Sequence, residues 1–391
     1  MYLSKRVLNV SPSATLEVTA LAKKLKSEGH DVVNFAAGEP DFDTPQEIKN
    51  AAKKAIDEGF TKYTPSIGFP SLREEISLKF KRENGLQYSP EQIIVGSGAK
   101  HCLYNILQAI AQENDEVIIP RPYWVSYPEM AKLSAATAVF VETTEKNNFK
   151  IQPKDLLGLI TKKTKALILN SPSNPTGCIY DAAELKEIAD ICVNKKILVI
   201  SDEIYEKLIY DNIKHVSIGS FNDKILQQTI TVNGVSKAYS MTGWRIGYLG
   251  APLEIAKAIK KIQDHSTSNP ASISQKAALQ ALQLPAEQIE QMRSEFEKRR
   301  DYILSRLDGI KNIAYCKPLG AFYVFCDISK ISNDTKNFAK KFLEEKKVAL
   351  IPGIGFGKEG WVRMSFATNL ENIEKGMDRL EAWVKQLQKK S

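Results

Sequence analysis

The chain has 391 residues, 43% of them hydrophobic and 26% charged, and its 54 basic and 46 acidic side chains leave a net charge of +8. This composition excludes a disordered or low-complexity chain, and the length is enough for two domains. The lysines are scattered, as at Lys23, Lys24 and Lys26, so the positive balance reads as a solvated surface with no nucleic-acid stripe, although its field favours anionic small substrates.

Ser13 to Glu28 reads as a helix stopped at Gly29. From about residue 40 to 285, short apolar runs alternate with helical patterns. The runs are Ile93–Val95, Val117–Ile119, Ala166–Leu169, Ile197–Ile200 and Thr229–Val232. Gly96-Ser97-Gly98-Ala99-Lys100 opens a helix whose apolar side carries Cys102, Leu103, Ile106, Leu107 and Ile110. Another helix begins near Asp181, with Glu184 at capping-box spacing and Leu185, Ile188, Ile191 and Cys192 on its apolar face. Such alternation predicts an α/β fold with an open, mostly parallel central sheet flanked by helices.

The character changes near residue 286. A long charged helix through Phe296 and Arg300 precedes strand candidates at Phe322–Phe325 and Val348–Ile351. The last helix puts Ile373, Met377, Leu380, Val384 and Leu387 on one face, which is expected to pack on this same chain. The predicted organisation is a large domain over 40–285 and a smaller α/β domain built from both chain ends, 1–39 and 286–391. Gly355-Phe356-Gly357-Lys358-Glu359-Gly360 has the GxGxxG spacing, but the strand-like Trp361-Val362-Arg363-Met364 follows it, so it reads as a loop.

The five cysteines (Cys102, Cys178, Cys192, Cys316 and Cys326) are odd in number and form no CxxC, which points to a reduced, cytoplasmic setting. No secretory apolar core follows Met1-Tyr2-Leu3-Ser4-Lys5-Arg6, and no apolar run has bilayer-spanning length, so no membrane partner is expected. His30, His101, His215 and His265 lack ligand spacing, and no metal is expected.

In open α/β sheets, ligands gather beyond the carboxyl ends of the strands. Four runs here are followed at that end by chemically capable groups: Gly96–Lys100, Asn174, Asp202 and Lys237. Each has a plainer reading alone, as a tight turn, a loop, a helix cap or a surface charge. Lys237 is followed eight positions later by Arg245, with small residues between. That spacing suits an aldehyde cofactor carrying a phosphate, with the amine forming a Schiff base and the guanidinium holding the anion. The glycine turn is not a Walker A loop, which disfavours an NTPase.

The chain resembles a class I aminotransferase of the pyridoxal-phosphate fold-type I superfamily. The carrying motifs are Ala37-Gly38-Glu39-Pro40-Asp41-Phe42, Lys62-Tyr63-Thr64-Pro65, Pro122-Tyr123-Trp124, Ser171-Pro172-Ser173-Asn174-Pro175-Thr176-Gly177, Ser201-Asp202-Glu203-Ile204-Tyr205, Ser236-Lys237 through Gly247, and Val362-Arg363-Met364-Ser365. They span nearly the whole chain, and they are most similar to a bacterial aspartate aminotransferase branch.

The resemblance implies pyridoxal 5'-phosphate as cofactor, with Lys237 as its Schiff-base residue and proton carrier, and Asp202 on the pyridine nitrogen. It implies Asn174 and Tyr205 at the ring's phenolic oxygen and Trp124 stacked on the ring. The phosphate is implied to meet Gly98, Ala99, Ser236, Arg245 and a tyrosine of a second subunit, matched by Tyr63, which implies a homodimer with shared active sites. Arg363 and Gly38 match the α-carboxylate site. One departure stands out: Gln263-Asp264-His265-Ser266-Thr267 lacks the arginine that another branch uses for the distal carboxylate. Lys100, assisted by Thr15 and Ser13, is its implied substitute. The implied reaction is amino transfer between L-aspartate and 2-oxoglutarate. The alternatives are a prephenate, alanine, aromatic or kynurenine-type aminotransferase and a non-catalytic regulator. A regulator needs an added DNA-binding module, for which the residues before Gly38 are too few.

Overall fold

The computed structural model of the chain describes residues 2–389; Met1, Lys390 and Ser391 of the predicted end segments lie outside that range. The first strand pairing involves only Val33–Asn34 (β1), which runs parallel to a late strand. The central sheet has seven strands: Ile93–Gly96 (β2), Glu116–Arg121 (β3), Thr137–Glu142 (β4), Thr164–Asn170 (β5), Leu198–Asp202 (β6), Thr229–Gly234 (β7) and Gly247–Gly250 (β8). Val117–Ile119, Ala166–Leu169, Val199–Ile200 and Thr229–Val232 are all buried. Continuous apolar runs of this kind are what a sheet covered on both faces requires.

The strand order is β2-β8-β7-β6-β5-β3-β4. Every strand runs the same way except β8, which is antiparallel to both neighbours. The carboxyl ends of β2, β5, β6 and β7 therefore share one edge of the sheet. The sequence reading found those strands but not β4 or β8. The first is a half-exposed edge strand, and the second is four residues with a glycine at each end.

The flanking helices follow local rules. Ala182–Lys195 is opened by the expected capping box, in which the Asp181 side chain accepts from Glu184 N at 2.9 Å and the Glu184 side chain accepts from Asp181 N at 2.8 Å. It buries Leu185, Ile188, Ala189 and Cys192, while Ile191 is only partly covered. Ala99–Ile110 starts at the glycine turn as expected.

Strands of the chain's later part are Ala314–Tyr315 (β9), Tyr323–Asp327 (β10), Val348–Ala349 (β11), Ile351–Pro352 (β12) and Trp361–Ser365 (β13). They form an antiparallel sheet of order β12-β13-β10-β9, with β11 paired to β1. The apolar run Val348–Ile351 is thus two strands serving two sheets, broken at the fully buried Leu350. Phe296, from the long helix Ala286–Asp308, packs with Phe35, Phe322, Phe342 and Val362 in one core. The helix Leu370–Gln388 lays Ile373, Met377, Leu380 and Val384 onto it, with Leu387 partly covered. Gly353–Phe356 is a short 3-10 turn followed by Gly357 at φ +77, so the GxGxxG segment is a loop. Among the described residues, no helix is long and apolar enough to cross a membrane.

Candidate active site

A cavity of about 420 Å³ lies at the edge where the parallel strands end. The central sheet and its following turns deliver Asn174, Asp202, Tyr205, Ser236 and Lys237 to its wall. The start of the helix Ala99–Ile110 delivers Ala99 and Lys100, and the turn after β3 delivers Trp124. Thr15, Gly38 and Arg363 come from the chain ends, and Arg245 from just ahead of β8. Three predicted site residues are not in the wall. Gly98 lies directly behind Arg245, Ser13 touches the Thr15 hydroxyl at 3.0 Å, and Tyr63 is 91% exposed.

Lys237 Nζ donates to the carbonyl of Gly38 at 2.6 Å. Burial disfavours its ammonium form, and Arg245 and Arg363 add repulsion against the pull of Glu39 and Asp202, so its pKa falls to about 8. Burial acts oppositely on Asp202 and pushes its carboxyl up to about 6. The Tyr127 hydroxyl, donating to Asp202 Oδ2 at 2.7 Å, restrains that rise. Asn170 Nδ2 holds the Asp202 carbonyl at 2.9 Å.

Arg363 is buried in β13. Its Nη1 donates to Asn174 Oδ1 and its Nη2 to the Ala36 carbonyl, each at 3.0 Å, and its guanidinium lies over the Tyr323 ring at 4.1 Å. Its Nε is buried without a hydrogen-bond partner among the described residues. Tyr205 and Tyr323 bring their hydroxyls to 3.0 Å, and burial, followed by the Tyr323 contact, pushes the Tyr205 phenol well up.

A helix start, a hydroxyl and a guanidinium converge at the other end. Gly98 has φ +92, and a Cβ there would come within 2.3 Å of Arg245 Nη2. A Cβ on Gly247 would come within 2.1 Å of Ala99 N. Only glycines permit this approach of the helix N-terminus to the arginine. The helix start at Ala99, the Ser236 side chain and Arg245 line one part of the cavity and form a cradle suited to a phosphate, while Gly98 N already donates to the Gly96 carbonyl at 2.8 Å. With an amine and a carboxylate in the same cavity, the residues present fit pyridoxal phosphate.

Lys100 is an exposed residue of the cavity lining, with Nζ 4.8 Å from the Trp124 ring centre. Burial and then Arg245 lower its pKa, and among the described residues it has no carboxylate partner. Trp124 meets the Tyr127 ring edge-on at 5.3 Å.

Sequence reasoning missed Tyr127, Asn170, Tyr323, Thr19 and Lys23, although Asn170, Tyr127, Tyr323, Thr19 and Lys23 all line the cavity. Thr15, Thr19 and Lys23 recur every fourth residue, a helix-face signal that was present to be read. It also left His215 unplaced. The fold brings His215 to Glu203 and Glu206, with ligand-type atoms within 4.8 Å of one another. The buried ammonium of Lys79 already pairs with Glu206 there, so a cation is supplied by the chain itself.

The family model for aminotransferase class I and II matches residues 30–380. An aspartate aminotransferase of Geobacillus stearothermophilus is 51% identical over 389 residues, covering 98% of this chain and 99% of that protein. An aspartate/prephenate aminotransferase of Cereibacter sphaeroides is 45% identical, covering 98% of each. The solved structure of Thermus thermophilus aspartate aminotransferase with maleate superposes with a TM-score of 0.94 at 43% identity, covering 98% of this chain and 99% of that one. With the strand-edge amine, carboxylate and anion cradle described above, these matches identify the chain as belonging to the class I and II aminotransferases.

Proposed function

We propose that this chain transfers the amino group of L-aspartate to 2-oxoglutarate, giving oxaloacetate and L-glutamate in a ping-pong cycle. The observation that carries the reading is one cavity lined by Lys237, Asp202, Arg363 and Lys100, the last with no carboxylate partner among the described residues. Relatives named for aspartate support it, as does a neighbour solved with maleate, a four-carbon dicarboxylate.

When bound, pyridoxal phosphate supplies an aldehyde that condenses with amines and a ring that accepts an electron pair from the substrate α-carbon. Lys237 would hold that aldehyde and, once displaced by the substrate amine, take the α-proton; its lowered pKa leaves a usable base near neutral pH. Asp202 would hold the proton on the pyridine nitrogen, with Tyr127 orienting the carboxylate. Asn174 and Tyr205 would donate to the ring's phenolic oxygen, and Trp124 would cover one ring face. Gly98, Ala99, Ser236 and Arg245 would bind the phosphate. Arg363, beside Gly38, would take the α-carboxylate through paired N–H donors. Lys100, assisted by Thr15 and Ser13, would take the distal carboxylate, and glutamate would use the same cation in the reverse half.

The exposed Tyr63 fits a contact with a second copy's phosphate site, so the working unit is inferred to be a homodimer. Residues 40–285 would act as the large domain, and both chain ends as a smaller one closing over the substrate. A cytoplasmic location fits the five free cysteines. Purified protein loaded with pyridoxal phosphate should show an absorbance band that aspartate bleaches and oxaloacetate restores. A band indifferent to aspartate would refute the assignment.

A second reading is amination of prephenate, favoured by relatives named for both substrates and by Thr15 and Lys100 lining one wall. A panel of 2-oxo acids with aspartate as donor separates the two.

A further inference from the structure

The turn after β6 sends its side chains to two sides. Asp202 and Tyr205 line the cavity. Glu203 and Glu206 do not; both are buried behind it. Glu203 accepts from Ser201 Oγ at 2.8 Å, Ser217 Oγ at 2.6 Å, His215 Nε2 at 2.8 Å and Asn84 Nδ2 at 3.1 Å. Glu206 accepts from Asn84 Nδ2 at 2.6 Å and is paired with Lys79. Lys79 also donates to Asn84 Oδ1 at 2.7 Å and is 1% exposed.

Burying charges costs several kcal/mol per ion unless each is paired and hydrogen-bonded, and apolar side chains of similar volume often stabilise a fold as well or better. Stability alone therefore does not account for this cluster. Its geometry does something packing cannot: directional bonds from two separate segments, 79–84 and 215–217, together with Ser201 at the end of β6 itself, fix the rotation of the turn from behind. A rotation that released Glu203 would swing Asp202 and Tyr205 out of the cavity wall.

We propose that Glu203 and Glu206 are positioning residues, whose buried hydrogen-bond cluster holds Asp202 and Tyr205 at the angle needed to meet the cofactor ring. The proposal rests on the reading that pyridoxal phosphate binds in this cavity. Burial is the main influence that opposes ionisation of Asp202, and the nearby Glu203 carboxylate adds to it in the same direction. The backbone supports the same division, since Glu203 N donates to the Val232 carbonyl at 2.9 Å and ties the turn to β7.

The test uses wild-type protein, Glu203→Gln and Ser217→Ala, each freed of cofactor and titrated with pyridoxal phosphate by intrinsic fluorescence, with thermal unfolding followed in parallel. Glu203→Gln keeps the shape and removes the charge and two acceptor sites. Its Kd for the cofactor should rise about tenfold, the scale seen when groups that orient a ligating residue are removed. The loaded variant should lose kcat with little change in the KM for aspartate, because Arg363 and Lys100 are untouched. Ser217→Ala should move both quantities the same way by less. A folded Glu203→Gln protein with Kd and kcat within about twofold of wild type, and only a lower Tm, would reduce the cluster to a structural role. Where Glu203→Gln does not fold, Ser217→Ala and His215→Asn decide by the same criterion. Wild-type protein that fails to bind the cofactor would overturn the functional reading instead, so the two failures are distinct.

Discussion

Arg363 Nη1 donates to Asn174 Oδ1 at 3.0 Å across 189 residues of sequence. The contact ties β13, near the end of the chain, to the turn after β5, so the proposed α-carboxylate site and the proposed ring site share one hydrogen bond. Substrate seated on Arg363 is thereby referenced to the group that would face the ring oxygen.

Arg363→Lys tests that arrangement. Lysine keeps the charge but loses the planar fork and its bond to Asn174. KM should rise on the order of tenfold or more for aspartate, glutamate and alanine alike, since truncating a buried charged contact costs about 2–5 kcal/mol. Steady-state kinetics on the three donors is the check, and a loss confined to aspartate would contradict the α-carboxylate role.

Lys100→Ala should discriminate between substrates. A charge-assisted bond is worth about 1.5–3 kcal/mol, so kcat/KM for aspartate and glutamate should fall roughly 10- to 100-fold. Alanine and phenylalanine turnover should change little, because they carry no distal carboxylate. Equal losses on all four would remove Lys100 as the reader.

Lys237 gives a pH prediction. Its amine is half neutral near pH 8 rather than near its ordinary value of 10.5. Covalent capture of pyridoxal phosphate by cofactor-free protein should therefore accelerate from pH 6 and level off above about 8. Lys237→Ala should show no covalent capture and no steady turnover. An inflection near 10 would mean that the amine is not in the desolvated setting described.

Asp202→Asn gives a stability prediction with a definite sign. The folded-state pKa of Asp202 is raised from 3.8 to about 6. Its favourable contribution is therefore complete below about pH 3.8 and lost as pH rises through about 6. The cofactor-free variant should match wild type near pH 4 and exceed it by roughly 2–3 kcal/mol at pH 7.5. Urea unfolding at pH 4, 6 and 7.5 measures the gap, and a gap constant with pH would be inconsistent with a buried, ionising carboxylate.

Much of this site was legible because its chemistry sits where periodicity ends. Asp202 and Lys237 follow unmistakable apolar runs, and the rule for strand ends places them together. Tyr127 was not legible: a tyrosine one turn beyond Trp124 reads as core until a carboxylate is found 2.7 Å away. Lys79 was hidden for a related reason, since a lysine at a helix end looks like surface until its partner, 127 residues later, is folded against it. β8 escaped because four residues bounded by glycines carry too little pattern. The division of Val348–Pro352 between two sheets depends on partners that no local window contains.

The reversed direction of β8 has a consequence for how this protein tolerates change. Because that strand starts where its neighbours finish, the chain leaves β7, presents the amine of Lys237, crosses the rim and presents Arg245 before it turns back into the sheet. On the proposed roles of Lys237 and Arg245, the crossing would be a fixed-length bridge between two anchor points on one small molecule. An added or deleted residue between 237 and 245 would put those anchors out of step, whereas the opposite rim, reached through the connections near 112–115 and 161–163, carries no such measure. Grafted segments and relocated termini belong on that far side.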